Sequence, residues 1–316
     1  MSKRIAILRW NCLTHDLEKE LEKRGYKVFN SKTIKKDDLS KFDVVVNWNE
    51  SDSTAGLNNQ ESGRDYVKYC KSLGIKTILL QHGRWGSARI FPPFNEEYIS
   101  DKVCCWGERD KKRFMEIGTP EEKLVVTGTS IFKHLKPREP HNGINVVFSP
   151  EHWDTDIAEN QIVAGILHQL KGVKVITKVL IDEHIPGIYD NPVWSDREKE
   201  GHLESVADVL KTADLVVGVS ESTFELMAEI LDIPVVIADI WLPKACKGDD
   251  KYKEYTRLFS NACERVNLDD LNKTIYKRLK HPEYLREERR IAGIEDGGIN
   301  IEDPISEIIK VIDDKL

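Results

Sequence analysis

Along the chain, short runs of consecutive apolar residues alternate with longer stretches in which apolar positions recur at helical spacing. The runs fall at residues 5–8, 44–46, 77–80, 103–105, 124–126, 146–148, 173–176, 215–217 and 235–237. Being apolar throughout and rich in Val and Ile, they predict strands of parallel sheets buried on both faces. Between them lie "HDLEKELEKRG", "ESGRDYVKYCKSLG", "RDKKRFMEIG" and "ENQIVAGILHQLKG", four helical patterns, each closed by a glycine. No low-complexity tract or short repeat interrupts this rhythm.

It breaks once, in "KHLKPREPHNG" at residues 133–143, where two prolines, charges and a Gly-Asn pair carry no apolar period. The expected organisation is an N-terminal domain at 1–135, a linker at 136–143 and a C-terminal domain at 144–316. The terminal amphipathic segment "DPISEIIKVIDDKL" is free to pack on either domain. Each half restarts with its own strand, "RIAIL" or "INVVF". The expected fold class is therefore α/β, with two doubly wound, Rossmann-like parallel-sheet domains facing each other across a cleft.

Composition narrows the function classes. The 316 residues are 40% apolar and 32% charged, as in a soluble globular protein. A net charge of −7 argues against affinity founded on nucleic-acid phosphates. The two basic candidates, 133–138 and 286–290, read as a linker and a solvated helix face. The six cysteines, Cys12, Cys70, Cys104, Cys105, Cys246 and Cys263, have no CxxC spacing and suit reduced, buried thiols. "MSKRIAILRW" is too weakly apolar for a signal peptide or a membrane span, so a cytoplasmic location is expected.

Ligands of open parallel sheets bind at the carboxyl ends of strands. His82 follows the run 77–80 directly, and "QHGRWG" surrounds it with Gln81, Gly83 and Arg84, offering close backbone approach and a cation for an anion. A histidine there can also do no more than bond a backbone carbonyl. In "DLVVGVSESTFELMAEILDIPVV" a strand ends at Gly218 and a hydroxyl-rich turn follows. Ser222 and Glu225 match a capping box, which explains a helix start without any ligand. The same helix start, with Ser220, Ser222 and Thr223, also suits a diphosphate, and an early Glu suits ribose hydroxyls. The loop "FSPEHWDTD" adds His152 and Asp154 as cleft candidates. No second cluster at ligand spacing accompanies them, and Asp156 can cap a helix, so no metal is expected. There is no GxGxxG after the first strand, no P-loop and no GxSxG elbow.

The stretches "TILLQHG", "VCCWGERDKKRFMEIGTPEEKLVVTGTSIFKHL" and "ADLVVGVSESTFELMAEILDIPVV" resemble the GT-B glycosyltransferase superfamily over residues 75–240. The likeness is to its branch of CDP-glycerol glycerophosphotransferases and surface-carbohydrate transferases and, more distantly, to UDP-N-acetylglucosamine 2-epimerases. Two departures stand out. Glu225 and Glu229 straddle the register of the usual donor-contacting acid, which leaves them as alternatives. Where a His-Pro is common, "VITKVLIDEHIPG" offers Lys178 or His184.

The resemblance implies a nucleotide-activated sugar or polyol donor on the C-terminal domain, a hydroxyl acceptor such as a glycan on the N-terminal domain, and no cofactor. It makes His82 the general base and assigns the diphosphate to Ser220, Ser222, Thr223 and Lys178. Three alternatives stay open. They are a 2-epimerase drawing on Asp154, Asp156 and Glu183, a non-catalytic nucleotide-sugar binder, and a glycosyltransferase acting on nucleic-acid bases.

Overall fold

The computed structural model describes residues 2–8, 14–30, 34, 36–48, 50, 63–84, 97–150, 157–180, 192–195, 202–240 and 260–314. The chain divides into two compact units, Met1–Ile131 with Ile294–Leu316, and Phe132–Gly293.

The first unit holds six parallel strands: β1 (Arg4–Ile7), β2 (Lys27–Asn30), β3 (Val44–Asn47), β4 (Lys76–Leu80), β5 (Lys102–Cys105) and β6 (Leu124–Val126). Their order is β2-β1-β3-β4-β5-β6, every pairing parallel. Alternation along the strands sorts their side chains onto two faces. On one, Ile5, Ile7, Val44, Val46, Ile78 and Leu80 pack against Leu17 and Leu21 of α1 (His15–Lys23) and Ile308, Ile309 and Ile312 of the last helix, Pro304–Asp313. On the other, Ala6, Leu8 and Val45 meet Tyr66 and Cys70 of α2 (Gly63–Ser72). Helix α3 (Glu108–Glu116) places Phe114 against Leu79, Val103 and Cys105.

The second unit has the order β12-β11-β10-β7-β8-β9, again all parallel. Its strands are β7 (Asn145–Ser149), β8 (Lys174–Leu180), β9 (Pro192–Ser195), β10 (Leu215–Gly218), β11 (Val235–Ala238) and β12 (Glu264–Val266). The core residues Val146, Phe148, Leu215, Val217 and Val236 face Val163 and Leu167 of α4 (Ile157–Leu167) and Leu271 and Ile275 of α7 (Leu268–Lys280). Helix α5 (His202–Leu210) packs against β9 and α6 (Thr223–Ile230) against β10 and β11. Helix α8 (Arg286–Glu295) precedes the terminal helix, α9 (Pro304–Asp313).

All nine apolar runs are strands. The pattern missed β2, β9 and β12, all at sheet edges, where among the described residues one flank lacks a neighbouring strand and "KVFN", "PVWS" and "ERV" suffice. The division between the units falls at Ile131 and Phe132, just before the expected linker, and 136–143 goes with the second unit. Lys136 pairs with Asp208 at 2.8 Å, Arg138 with Asp214 at 3.1 Å and Glu139 with Lys211 at 3.4 Å, so the segment is tied down to α5 and the chain just beyond it. The terminal segment, left free to pack on either domain, packs on the N-terminal one, since Ile294–Leu316 belongs to the first unit. Lys76 Nζ donates to the carbonyls of Val311 and Asp314 at 2.7 and 2.6 Å and closes the C-terminal end of α9. The backbone leaves no room for a side chain at Gly298, which has a φ of 61°, and a Cβ there would run into the Trp106 carbonyl oxygen.

Candidate functional site

In the second unit β7 and β10 are adjacent, although β8 and β9 intervene in sequence and lie on the far side of β7. This is the topological switch point, where strand order reverses and a crevice opens at the carboxyl ends. The last residues of the two strands, Ser149 and Gly218, are register partners. Helix α6 starts just past them, and its N-cap Ser222 forms the expected capping box. Ser222 Oγ accepts from Phe224 N at 3.2 Å and donates to Glu225, while Ser222 N donates to Glu225 Oε2 at 2.9 Å. A Cβ on Gly218 would stand 2.6 Å from Glu225 Oε1, so the carboxyl can lie over the strand end only because residue 218 is glycine.

Burial pushes the Glu225 carboxyl above its ordinary value, against the downward pull of hydrogen bonds from Ser222 and Ser149 and of the Lys178 charge. Lys178, on β8, holds its ammonium 5.6 Å from the centre of the Phe224 ring, in cation–π range of the first turn of α6. Lys178, Ser222 and Glu225 are thus brought together, joined by Ser149, which the sequence reading did not single out. Ser222 is engaged in the cap itself. Thr223 is the first helical residue, and Ser220 lies half-buried in the turn. Glu229 is buried one turn beyond Glu225.

A second cluster in this unit also went unforeseen. Glu221, in the same turn, accepts from Arg265 Nη2 at 2.7 Å and from Cys263 Sγ at 3.1 Å, and Asp239 lies 3.8 Å from Arg265. Burial opposes the charge on Arg265, but Glu221 and its neighbours outweigh it and hold the guanidinium charged. Arg265 lies on β12, which shows no apolar run, so the pattern gave no signal there.

In the first unit His82 follows β4, and its Nδ1 lies 2.9 Å from the Trp48 carbonyl oxygen, with the two rings edge to face at 4.7 Å. A carbonyl only accepts, so Nδ1 carries the hydrogen and Nε2 is the basic nitrogen of the neutral ring. The histidine does bond a backbone carbonyl, and that bond also sets the tautomer a general base requires. His82 lines a pocket at the carboxyl ends of β4, β5 and β6 that opens to the solvent. Trp48, Trp106, Thr129 and Ser130 form much of its wall, with Ile305 and Ile308 of α9 beside them.

The neighbours of His82 do other work. Gln81 is buried. Its Oε1 accepts from Trp106 N at 2.8 Å, and its Nε2 donates to the Gly83 carbonyl at 2.9 Å and to Asp110. It clips the end of β4 to that of β5, and Gly83 supplies a carbonyl to the clip. Arg84, expected to receive an anion, has a side chain 0% exposed and pairs with an equally buried Asp296 at 3.0 Å. That expectation is corrected, since a guanidinium already held by an internal carboxylate faces no solvent-borne ligand. Asp296 also meets Arg109 at 3.3 Å, and Arg113 pairs with Asp110 at 2.8 Å. Burial raises the Asp110 carboxyl, opposed by Arg113 and reinforced by Asp296.

His152, Asp154, Asp156, Glu183 and His184 lie outside the described residues. Among the described residues no three His, Cys, Asp or Glu side chains cluster as metal ligands, and no helix is long and apolar enough to cross a membrane. Cys70, Cys104, Cys105 and Cys263 are buried, and burial pushes the Cys104 thiol up to about 12.

No protein-family model matches the sequence, and no curated protein matches it either. Solved structures do. The UDP-GlcNAc 2-epimerase of Neisseria meningitidis, bound to UDP-GlcNAc, aligns with a TM-score of 0.64 at 10% identity, over 98% of this chain and 99% of that one. The wall teichoic acid polymerase TagF aligns at 0.61 and 10% identity, over 98% and 87%. The glycotransferase of kitacinnamycin aligns at 0.54 and 11% identity, over 98% of both chains. The chain has the GT-B fold. At these identities the likeness establishes the GT-B architecture, and the chemistry must be argued from the residues at the strand ends.

Proposed function

We propose that this GT-B protein is a metal-independent glycosyltransferase, or a transferase of a polyol phosphate, that moves a group from a nucleotide-activated donor to a hydroxyl of an acceptor glycan. The observation that carries this reading is the position of Lys178, whose ammonium stands by the first turn of α6 at the β7–β10 switch point. A diphosphate placed there meets a cation and the positive end of a helix. Glu225 holds the turn through Ser222 and lies within electrostatic range of Lys178.

In glycosyl transfer, the acceptor O–H gives its proton to His82 Nε2 as its oxygen bonds the anomeric carbon. The bond from that carbon to the diphosphate oxygen breaks, and its electron pair leaves with the nucleoside diphosphate. Lys178 and the α6 start stabilise the charge that develops on the leaving group. A histidine with its tautomer set by the Trp48 carbonyl suits this task.

The test is a thermal-shift screen against UDP-, GDP-, CDP-, CMP- and dTDP-linked donors, followed by nucleotide-release assays with glycan acceptors. One base class is expected to raise the midpoint, since a ligand that binds only the native state stabilises it. Lys178→Met should abolish the shift. His82→Ala should keep the shift and lower kcat by roughly 10²–10⁴-fold, the usual contribution of a general base. An epimerised sugar formed with no acceptor present would replace this reading with the 2-epimerase. A shift without turnover in the wild type would indicate a binding protein, and salt-sensitive DNA binding would indicate a nucleic-acid acceptor.

A further inference from the structure

The pocket beside His82 has a definite chemical character. Its described lining residues include no Asp, Glu, Lys or Arg. Two indoles, Trp48 and Trp106, and the hydroxyls of Thr14, Thr127, Thr129 and Ser130 stand over an apolar floor. Not all of these groups are available to a ligand. Trp106 Nε1 donates to the Gln81 carbonyl at 2.8 Å, and Thr127 Oγ1 donates to the Gly128 carbonyl at 3.1 Å. Thr129 Oγ1 accepts from Ile131 N at 3.3 Å, which leaves its O–H to donate, and Ser130 next to it is half-buried.

Among the described residues the unit has three arginines whose charges are held within the fold. Arg84, Arg109 and Arg113 are tied to Asp296, Glu295 and Asp110 within the fold. A phosphate or carboxylate entering the pocket would lose water and meet none of them, and stripping water from an uncompensated charge is costly. A sugar hydroxyl would lose water and meet hydroxyl donors and acceptors, while its C–H faces meet indole and aliphatic surface.

We propose that this pocket receives an uncharged polyhydroxyl acceptor, a neutral sugar, and discriminates against phosphorylated or otherwise anionic acceptors. The inference rests on the transferase reading above and specifies its acceptor.

The test is ligand-observed saturation-transfer NMR on the full-length protein without donor. The probes are methyl glycosides of common hexoses and neutral disaccharides, set against the corresponding hexose 6-phosphates and glycerol 3-phosphate. Neutral probes are expected to show transfer and to bind at least about tenfold more tightly than phosphorylated ones, a factor equivalent to about 1.4 kcal/mol. Ser130→Ala removes a single oxygen and should weaken neutral binding about two- to tenfold, the range for one hydrogen bond. Thr129→Lys places a cation at the wall and should shift the preference towards the 6-phosphates.

Equal or tighter binding of the phosphorylated probes by the wild type would overturn the proposal. So would a preference that Thr129→Lys leaves unchanged, or the absence of transfer to every neutral probe. The donor thermal shift is read independently through Lys178. A donor shift that persists while neutral sugars fail to bind refutes the acceptor assignment alone, and loss of the donor shift refutes the transferase reading.

Discussion

Both units are six-stranded parallel sheets flanked by helices, yet the pocket of the first and the switch point of the second place charge differently at their strand ends. In the second unit Lys178 and Glu225 stand at the carboxyl ends of β7, β8 and β10. In the first, the cations nearest the strand ends are turned inward. Arg84, Arg113, Asp110 and Asp296 form a buried network that meets Gln81 at the end of β4, and the described pocket wall includes no Asp, Glu, Lys or Arg. One architecture can therefore set a lysine and a buried carboxyl at its strand ends, or line them with hydroxyls and indoles. The position of a charge in the sequence does not tell which.

The strongest way to break this comparison is to remove one member of the inward network. Arg84→Met removes one guanidinium from the buried Asp296, which keeps Arg109, and should cost about 1.5–3 kcal/mol in urea denaturation, the range for one hydrogen bond to a charged group. If Arg84→Met instead left stability unchanged and lowered affinity for a phosphorylated ligand, Arg84 would be an anion receptor and the contrast between the units would fail.

The same contrast shows what the sequence makes legible. Strands central to a parallel sheet are buried on both faces and read as apolar runs, so all nine expected runs are strands. Edge strands such as β12 need no such run, and Arg265 went unnoticed with it. Ser222 and Glu225 were legible because they sit at a helix start, where local rules apply, whereas Lys178 came from the family resemblance. The fate of Arg84 was not, since its partner lies 212 residues away and only tertiary packing brings Asp296 to it. The pocket wall was hidden for the same reason. Trp48, Trp106 and Ile308 come from three distant segments, and no spacing relates them.

A smaller effect tests the ionic side of the comparison. Ser222 caps α6 with its hydroxyl, so Ser222→Ala should destabilise the protein by about 1 kcal/mol, whereas Ser222→Gly should cost only a few tenths. Both variants keep Lys178, so the donor shift should persist at higher ligand concentration. Complete loss of the shift in both would make the Ser222 hydroxyl a direct ligand of the donor rather than the part that sets the turn.

The smallest expected effect is a change of slope. Burial raises the Glu225 carboxyl above its ordinary 4.5, so the folded protein holds that proton more tightly than the unfolded chain does. Its contribution is fully present below the unfolded value and is lost as pH rises through the folded one. Gln carries no such proton and can still complete the capping box. Glu225→Gln should therefore gain stability relative to wild type as pH climbs from below 4.5 towards neutrality, read as the difference between urea midpoints across the series. Glu50 and Asp110 in the first unit are also raised by burial, but they titrate alike in both proteins and cancel in the difference. A difference that stays flat with pH would mean that Lys178 and the hydroxyls of Ser149 and Ser222 already compensate the buried carboxylate. The strand-end site of the second unit would then be a settled ion pair, as inward-looking as the network around Arg84.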